Sequence, residues 1–132
     1  MSLKLPKVGD VVGFRGVNVS HTEREWAIDV YELGEHLEVF AKVGTSLPKP
    51  VSLAWTAEVD PTPSAVAPIG PLLNRFSATL SNASLHDLIL SQSLEAVETL
   101  SVEGEFRSKT LCDLLVLPNL RHIDIGARIV ET

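Results

Sequence analysis

The chain of 132 residues predicts an α+β fold. An N-terminal antiparallel β-meander comes first, then two to three β-α units, with strands that can join in one continuous sheet. Three observations lead there. Apolar residues recur with a period of two from Val8 to Val59. Asp60 to Pro71 then gathers four of the eight prolines and reads as a connection. Beyond it a three-point apolar line recurs at nearly fixed spacing, as Leu73/Phe76/Ala78, Val97/Leu100/Val102 and Leu120/Ile123/Ile125. The division is therefore 1–59 meander, 60–71 connection and 72–132 β-α units, in one compact domain.

Val8 to Val17 is apolar but interrupted by Gly9, Gly13 and Gly16, which predicts a bent or bulged strand. Asn18 to Glu23 is a polar turn. Arg24 to Leu33 alternates, with Trp26, Ile28 and Val30 on one face. Gly34-Glu35 then reads as the centre of a tight hairpin. The partner strand is His36 to Val43, with Leu37, Val39, Ala41 and Val43 facing inward. After a loop from Gly44 to Pro50, Val51 to Val59 alternates again. Val51, Leu53, Trp55, Ala57 and Val59 point in; Ser52, Ala54, Thr56 and Glu58 point out.

The second half changes period. Ser84 is the expected helix N-cap, with Asp87 three residues on, and its helix carries Leu85, Leu88 and Ile89. Thr110 and Asp113 repeat the device before Leu111, Leu114, Leu115 and Leu117, and Pro118 closes that helix. Alternating strands and helices favour parallel pairing.

These lines, with the phrase Leu117-Pro118-Asn119-Leu120-Arg121-His122-Ile123, make residues 73–132 resemble leucine-rich repeat proteins, as degenerate repeats. The family usually carries Asn or Cys soon after the third apolar position. Here Gly104-Glu105-Phe106 and Ala127-Arg128-Ile129 stand there. The resemblance implies a strand face whose residues lie between the buried apolar positions. That face would present Arg75, Ser77, Thr79, Thr99, Ser101, Glu103, His122 and Asp124, followed by Gly126, and would be the binding surface.

Composition narrows the function. A net charge of -6, with scattered basic residues, excludes nucleic acid as the main partner. A single cysteine, Cys112, excludes an intrachain disulfide, and its place in an apolar helix line predicts a buried structural thiol. No apolar run reaches the ~20 residues a membrane span needs. The N-terminus lacks the apolar core of a secretory signal, so a cytoplasmic location is expected. His21, His36, His86 and His122 share no metal spacing, and no nucleophile elbow or phosphate loop occurs. No catalytic residue, metal or cofactor is predicted. Trp26 and Trp55 align with apolar faces and are expected in the core.

The expected function is non-enzymatic: an interaction module binding another protein through the strand face. A rival reading is a small-molecule-binding protein or hydrolase with a pocket between the meander and the helices. A third is a structural subunit that forms a homodimer through the meander edge.

Overall fold

A computed structural model describes residues 3–130. Seven strands form one sheet in chain order: β1 Val11–Phe14, β2 Val17–His21, β3 Trp26–Val30, β4 Val51–Trp55, β5 Leu73–Thr79, β6 Thr99–Phe106 and β7 His122–Ile129. The first three strands pair antiparallel, and every later neighbour pairs parallel. The α+β architecture, with a meander leading into β-α units on one sheet, is as the sequence predicts. The helices are α1 His36–Gly44, α2 Pro63–Val66, α3 Asn82–Leu90 and α4 Ser108–Leu114, with a 3-10 helix at Ala67–Leu72.

The meander is shorter than expected. The glycine-rich stretch is a hairpin rather than one bent strand. Gly16 sits in its turn at φ 76°, and a Cβ there would strike the backbone carbonyl of Glu32. Asn18 to His21, expected as a turn, belongs to β2. The larger correction is α1. His36 to Val43 is a helix, and Gly34-Glu35 is its approach rather than a hairpin centre. Two patterns coexist in this stretch. Leu37, Val39, Ala41 and Val43 alternate, whereas His36, Val39, Phe40 and Val43 fall at helical spacing. The second set is buried, and Leu37 is left 54% exposed. A helix here makes the β3–β4 connection a crossover, so β4 runs parallel to β3.

The proline-rich connection is structured. Thr62 caps α2 by accepting the Ala65 N–H at 3.2 Å, with Pro63 in the first turn. Ala65, Val66 and Ile69 are buried, so the segment contributes to the core. The cap of α3 is Ser81 rather than Ser84: its Oγ accepts the Ser84 N–H at 3.2 Å. Arg107 precedes α4, and Thr110 is buried inside that helix rather than capping it. With Thr110 and Leu114 facing in, Cys112 faces out and is exposed, which corrects the expected buried thiol.

One apolar layer lies between one face of the sheet and the helices. Val17, Val19, Trp26, Ile28, Val30, Val51, Leu53 and Trp55 supply it from the first half, and Leu73, Phe76, Leu100 and Val102 continue it. Both tryptophans are buried, Trp26 at 2% and Trp55 at 1% exposure. At about 25 cal/mol per Å² of apolar surface, each large side chain here contributes on the order of 2–3 kcal/mol.

Candidate functional site

Alternation along the strands decides the surface. If Ile28, Leu53, Phe76, Leu100 and Ile123 point toward the helices, the residues beside them point away. The ladder register places those outward residues in rows. One row runs Ala27, Ser52, Arg75, Thr99, His122. The next runs Asn18, Asp29, Ala54, Ser77, Ser101, Asp124. A third carries Thr79, Glu103 and Gly126. All eight residues expected from the sequence lie on this one face. Arg75, Ser77, Thr79, Glu103, His122 and Asp124 are exposed; Thr99 and Ser101 are half-buried by their neighbours.

The face has a low floor and charged margins. Ala27, Ser52, Ala54, Ser77 and Ser101 have the shortest side chains, so the middle strands form a shallow trough. One depression of about 360 Å³ lies over Ser20, Ala27, Ser52 and Ala54. A second of about 210 Å³ lies over Thr56, Ser77, Ser101 and Glu103. Arg75 and His122 share one row, whereas Asp29, Asp124 and Glu103 occupy the next two. The charge therefore changes sign along the strand direction. The β3 and β4 part of the face was not among the expected binding residues. Its signal was the spacing of Ile28 and Leu53, which continues the later apolar line.

Polar contacts between successive units hold the rows in place. Glu98 Oε2 accepts from Asn74 Nδ2 at 2.6 Å, and Arg121 Nε lies 3.6 Å from Glu98 Oε1. The backbone follows the same path, Glu98 N–H to Asn74 O and Arg121 N–H to Glu98 O, each at 2.8 Å. At the other end of the strands, Asn82 Oδ1 accepts the Arg107 N–H at 2.9 Å. Back at the starts of the strands, Asn119 Nδ2 donates to Glu95 O at 2.6 Å. These asparagines satisfy backbone groups of adjacent units, at positions that the apolar line does not mark.

The buried histidines serve the core. His21 stacks on Trp26 with ring centroids 3.8 Å apart. Its Nδ1 donates to Pro6 O at 3.0 Å, and its Nε2 accepts from Lys49 Nζ at 2.8 Å. His36 packs edge-on to Trp55 at 5.3 Å, its Nδ1 buried without a hydrogen-bond partner. Burial holds its pKa below the usual histidine value. His122 and Asp124, two residues apart on β7, project from the same open face.

Another depression, of about 440 Å³, lies where β3 and β4 end, lined by Tyr31, Glu32, Leu33, Ala57, Glu58 and Val59. Among the described residues, no group of three His, Cys, Asp or Glu side chains is arranged to hold a metal. Among the same residues, no helix is long and apolar enough to cross a membrane. No family model, characterised protein or solved structure matches this chain.

Proposed function

We propose that the chain is a non-enzymatic interaction module, similar in build to leucine-rich repeat proteins, that binds another protein across the open face of its sheet. The observation that carries this reading is the undressed face itself. Seven strands are covered on one side only, and the other side offers small polar side chains in register with charges at its margins. A floor of alanine and serine costs little conformational entropy to cover. Neutral and oppositely charged rows favour a partner whose basic side chains meet Asp29, Glu103 and Asp124 and whose acidic ones meet Arg75. A cytoplasmic site of action is part of the proposal, and an exposed Cys112 suits a reducing compartment.

The test is capture from native lysate with the wild-type chain and a Ser77→Arg/Ser101→Arg variant, followed by cross-linking of any captured protein. The variant fills the trough with two long cationic side chains. Loss of a stoichiometric partner in the variant, with cross-links to the trough, supports the reading. A partner held equally by both proteins removes this face as its binding surface.

A further inference from the structure

The two edges of the sheet are unequal. β1 is four residues long, Val11–Phe14, and is flanked by the turn at Gly9 and the hairpin at Gly16. β7 is eight residues long and pairs with β6 in unbroken register from His122 to Ile129. Natural edge strands are usually blunted by shortness, proline, lysine, a bulge or an inward-pointing charge. β7 is long, has no proline, lysine or bulge, and carries its charges, Asp124 and Arg128, only on the open face. Its helix-side residues are Ile123, Ile125, Ala127 and Ile129, and Ile123 and Ile129 are 38% and 58% exposed.

The direction of its free backbone groups follows from the ladder. His122 N–H bonds Glu98 O at 3.0 Å, and Val130 N–H bonds Phe106 O at 2.9 Å. In a parallel ladder alternate residues bond the same neighbour, so the even-numbered residues of β7 face β6. Ile123, Ile125, Ala127 and Ile129 turn their N–H and C=O groups outward. The apolar residues are therefore the ones that can accept another strand.

We propose that β7 pairs antiparallel with β7 of a second copy of this chain, about a two-fold axis at Gly126. The strand is complementary to itself in that register. Ile123 meets Ile129 of the other copy and Ile125 meets Ala127, each exchanging both backbone hydrogen bonds. The helix-side apolar row of one copy continues into that of the other. On the open face Asp124 stands opposite Arg128, twice, by symmetry. Opposite charges at directly facing positions stabilise a pair, and like charges oppose it. Gly126 faces itself at the closest approach, where it has no side chain to clash.

The charge pattern also selects the register. A shift that brings Gly126 opposite Asp124 places Arg128 opposite His122 and leaves both ion pairs unmade. A shift of one residue sets apolar against polar faces throughout. Arg128 already lies 4.0 Å from Glu105 within its own chain, both largely exposed. Pairing would place it between two carboxylates. The dimer extends the sheet and leaves the trough of the middle strands open on both copies, so it does not depend on the binding proposal above.

Sedimentation velocity of the 132-residue chain from about 1 to about 100 µM tests the pairing, with circular dichroism as the control for folding. Wild type is expected to move toward twice the 14.3 kDa monomer mass as concentration rises. Asp124→Arg sets arginine against arginine, and Arg128→Asp sets aspartate against aspartate. Each alone is expected to weaken association at least 10-fold. Mixed together, they restore both ion pairs and form a heterodimer. Ala127→Pro, which deletes an outward N–H and spares the ladder to β6, is expected to be monomeric. A wild type that stays monomeric at about 100 µM overturns the proposal. Single charge variants that dimerise as wild type does, or a mixture that remains monomeric, overturn it equally.

Discussion

Asp60 is the residue whose loss should reveal how the two halves of the chain are joined. It sits in the proline-rich connection, yet its carboxylate reaches the start of α3. Oδ2 accepts the backbone N–H of Ser81 at 3.1 Å and the hydroxyl of Ser84 at 2.8 Å. In a capping box the third helical residue reaches back to the N-cap N–H. Here Ser84 occupies that place and is too short, and Asp60 makes the contact from 21 residues upstream. Burial alone would raise the Asp60 pKa, but the donors of Ser81 and Ser84 together outweigh it and hold the pKa below 3.8. Hydrogen bonds to a charged group contribute about 1.5–3 kcal/mol each. Asp60 is only half-buried, so solvent screening cuts the pair to about 2 kcal/mol in total. Asp60→Ala is expected to lower the free energy of unfolding in urea by that amount at pH 7. Asp60→Asn keeps one acceptor oxygen and is expected to lose about 1 kcal/mol. The pH dependence follows from the lowered pKa. The unfolded chain takes up the proton first, so the stabilisation is complete well above pH 3.8 and is lost as pH falls through the folded value. The wild-type curve between pH 5 and pH 3 should therefore be steeper than that of Asp60→Asn. A loss under about 0.5 kcal/mol in Asp60→Ala, or equal acid slopes in wild type and Asp60→Asn, would refute the capping account.

Two further outcomes are expected from stability measurements. The pKa of His36 is lowered by burial, so the unfolded chain protonates first and stability falls as pH drops below 6.5. His36→Leu should flatten that slope and gain about 1 kcal/mol at pH 5.5 by removing the unpartnered Nδ1; an unchanged urea titration slope would contradict it. Gly16→Ala forces a Cβ against the Glu32 carbonyl at positive φ, and chemical denaturation should show a loss of about 2 kcal/mol or more.

What was legible in the sequence had long-range order. Trp26, Ile28, Val30 and the lines of the second half declare their faces because both burial and hydrogen bonding follow one period. What was misread had two periods at once. Residues 36–43 satisfy a strand template and a helix template, and only the burial of Val39, Phe40 and Val43 in the core, with Phe40 edge-on to Trp55, decides between them. The caps failed for a related reason. Ser84 and Thr110 each precede an apolar helical run, but Ser81, three residues earlier, wins the first cap because Asp60 can reach it. Cys112 followed from that shift: once α4 begins at Ser108, the inward positions are Thr110 and Leu114. Within the open face, the alternate residues of β5, β6 and β7 were readable from the apolar lines alone. Ser52 and Ala54 were readable as outward, but joining them and Asp29 to that face requires α1 to be a helix and β3, β4 and β5 to run parallel.

That single substitution of helix for strand changes what kind of sheet this is. With α1 in place, Ile28, Leu53, Phe76, Leu100 and Ile123 align through four parallel pairings, at positions 28, 53, 76, 100 and 123. The repeating unit thus begins at β3, the last strand of the antiparallel meander, and only β1 and β2 stand outside it. Their role is then to close an end. Val17 and Val19 of β2 are completely buried, with Val12 and Phe14 of β1 beside them in register. At the opposite end Ile123 and Ile129 of β7 remain partly open to solvent. The same stacking that buries each strand line under its neighbours leaves the line of β7 with a neighbouring strand on one side only. An end of this kind stabilises itself by acquiring another strand. β7 has the length and the alternating charges to receive one beside its outward backbone groups, whereas β1, also an edge, has neither that length nor those charges.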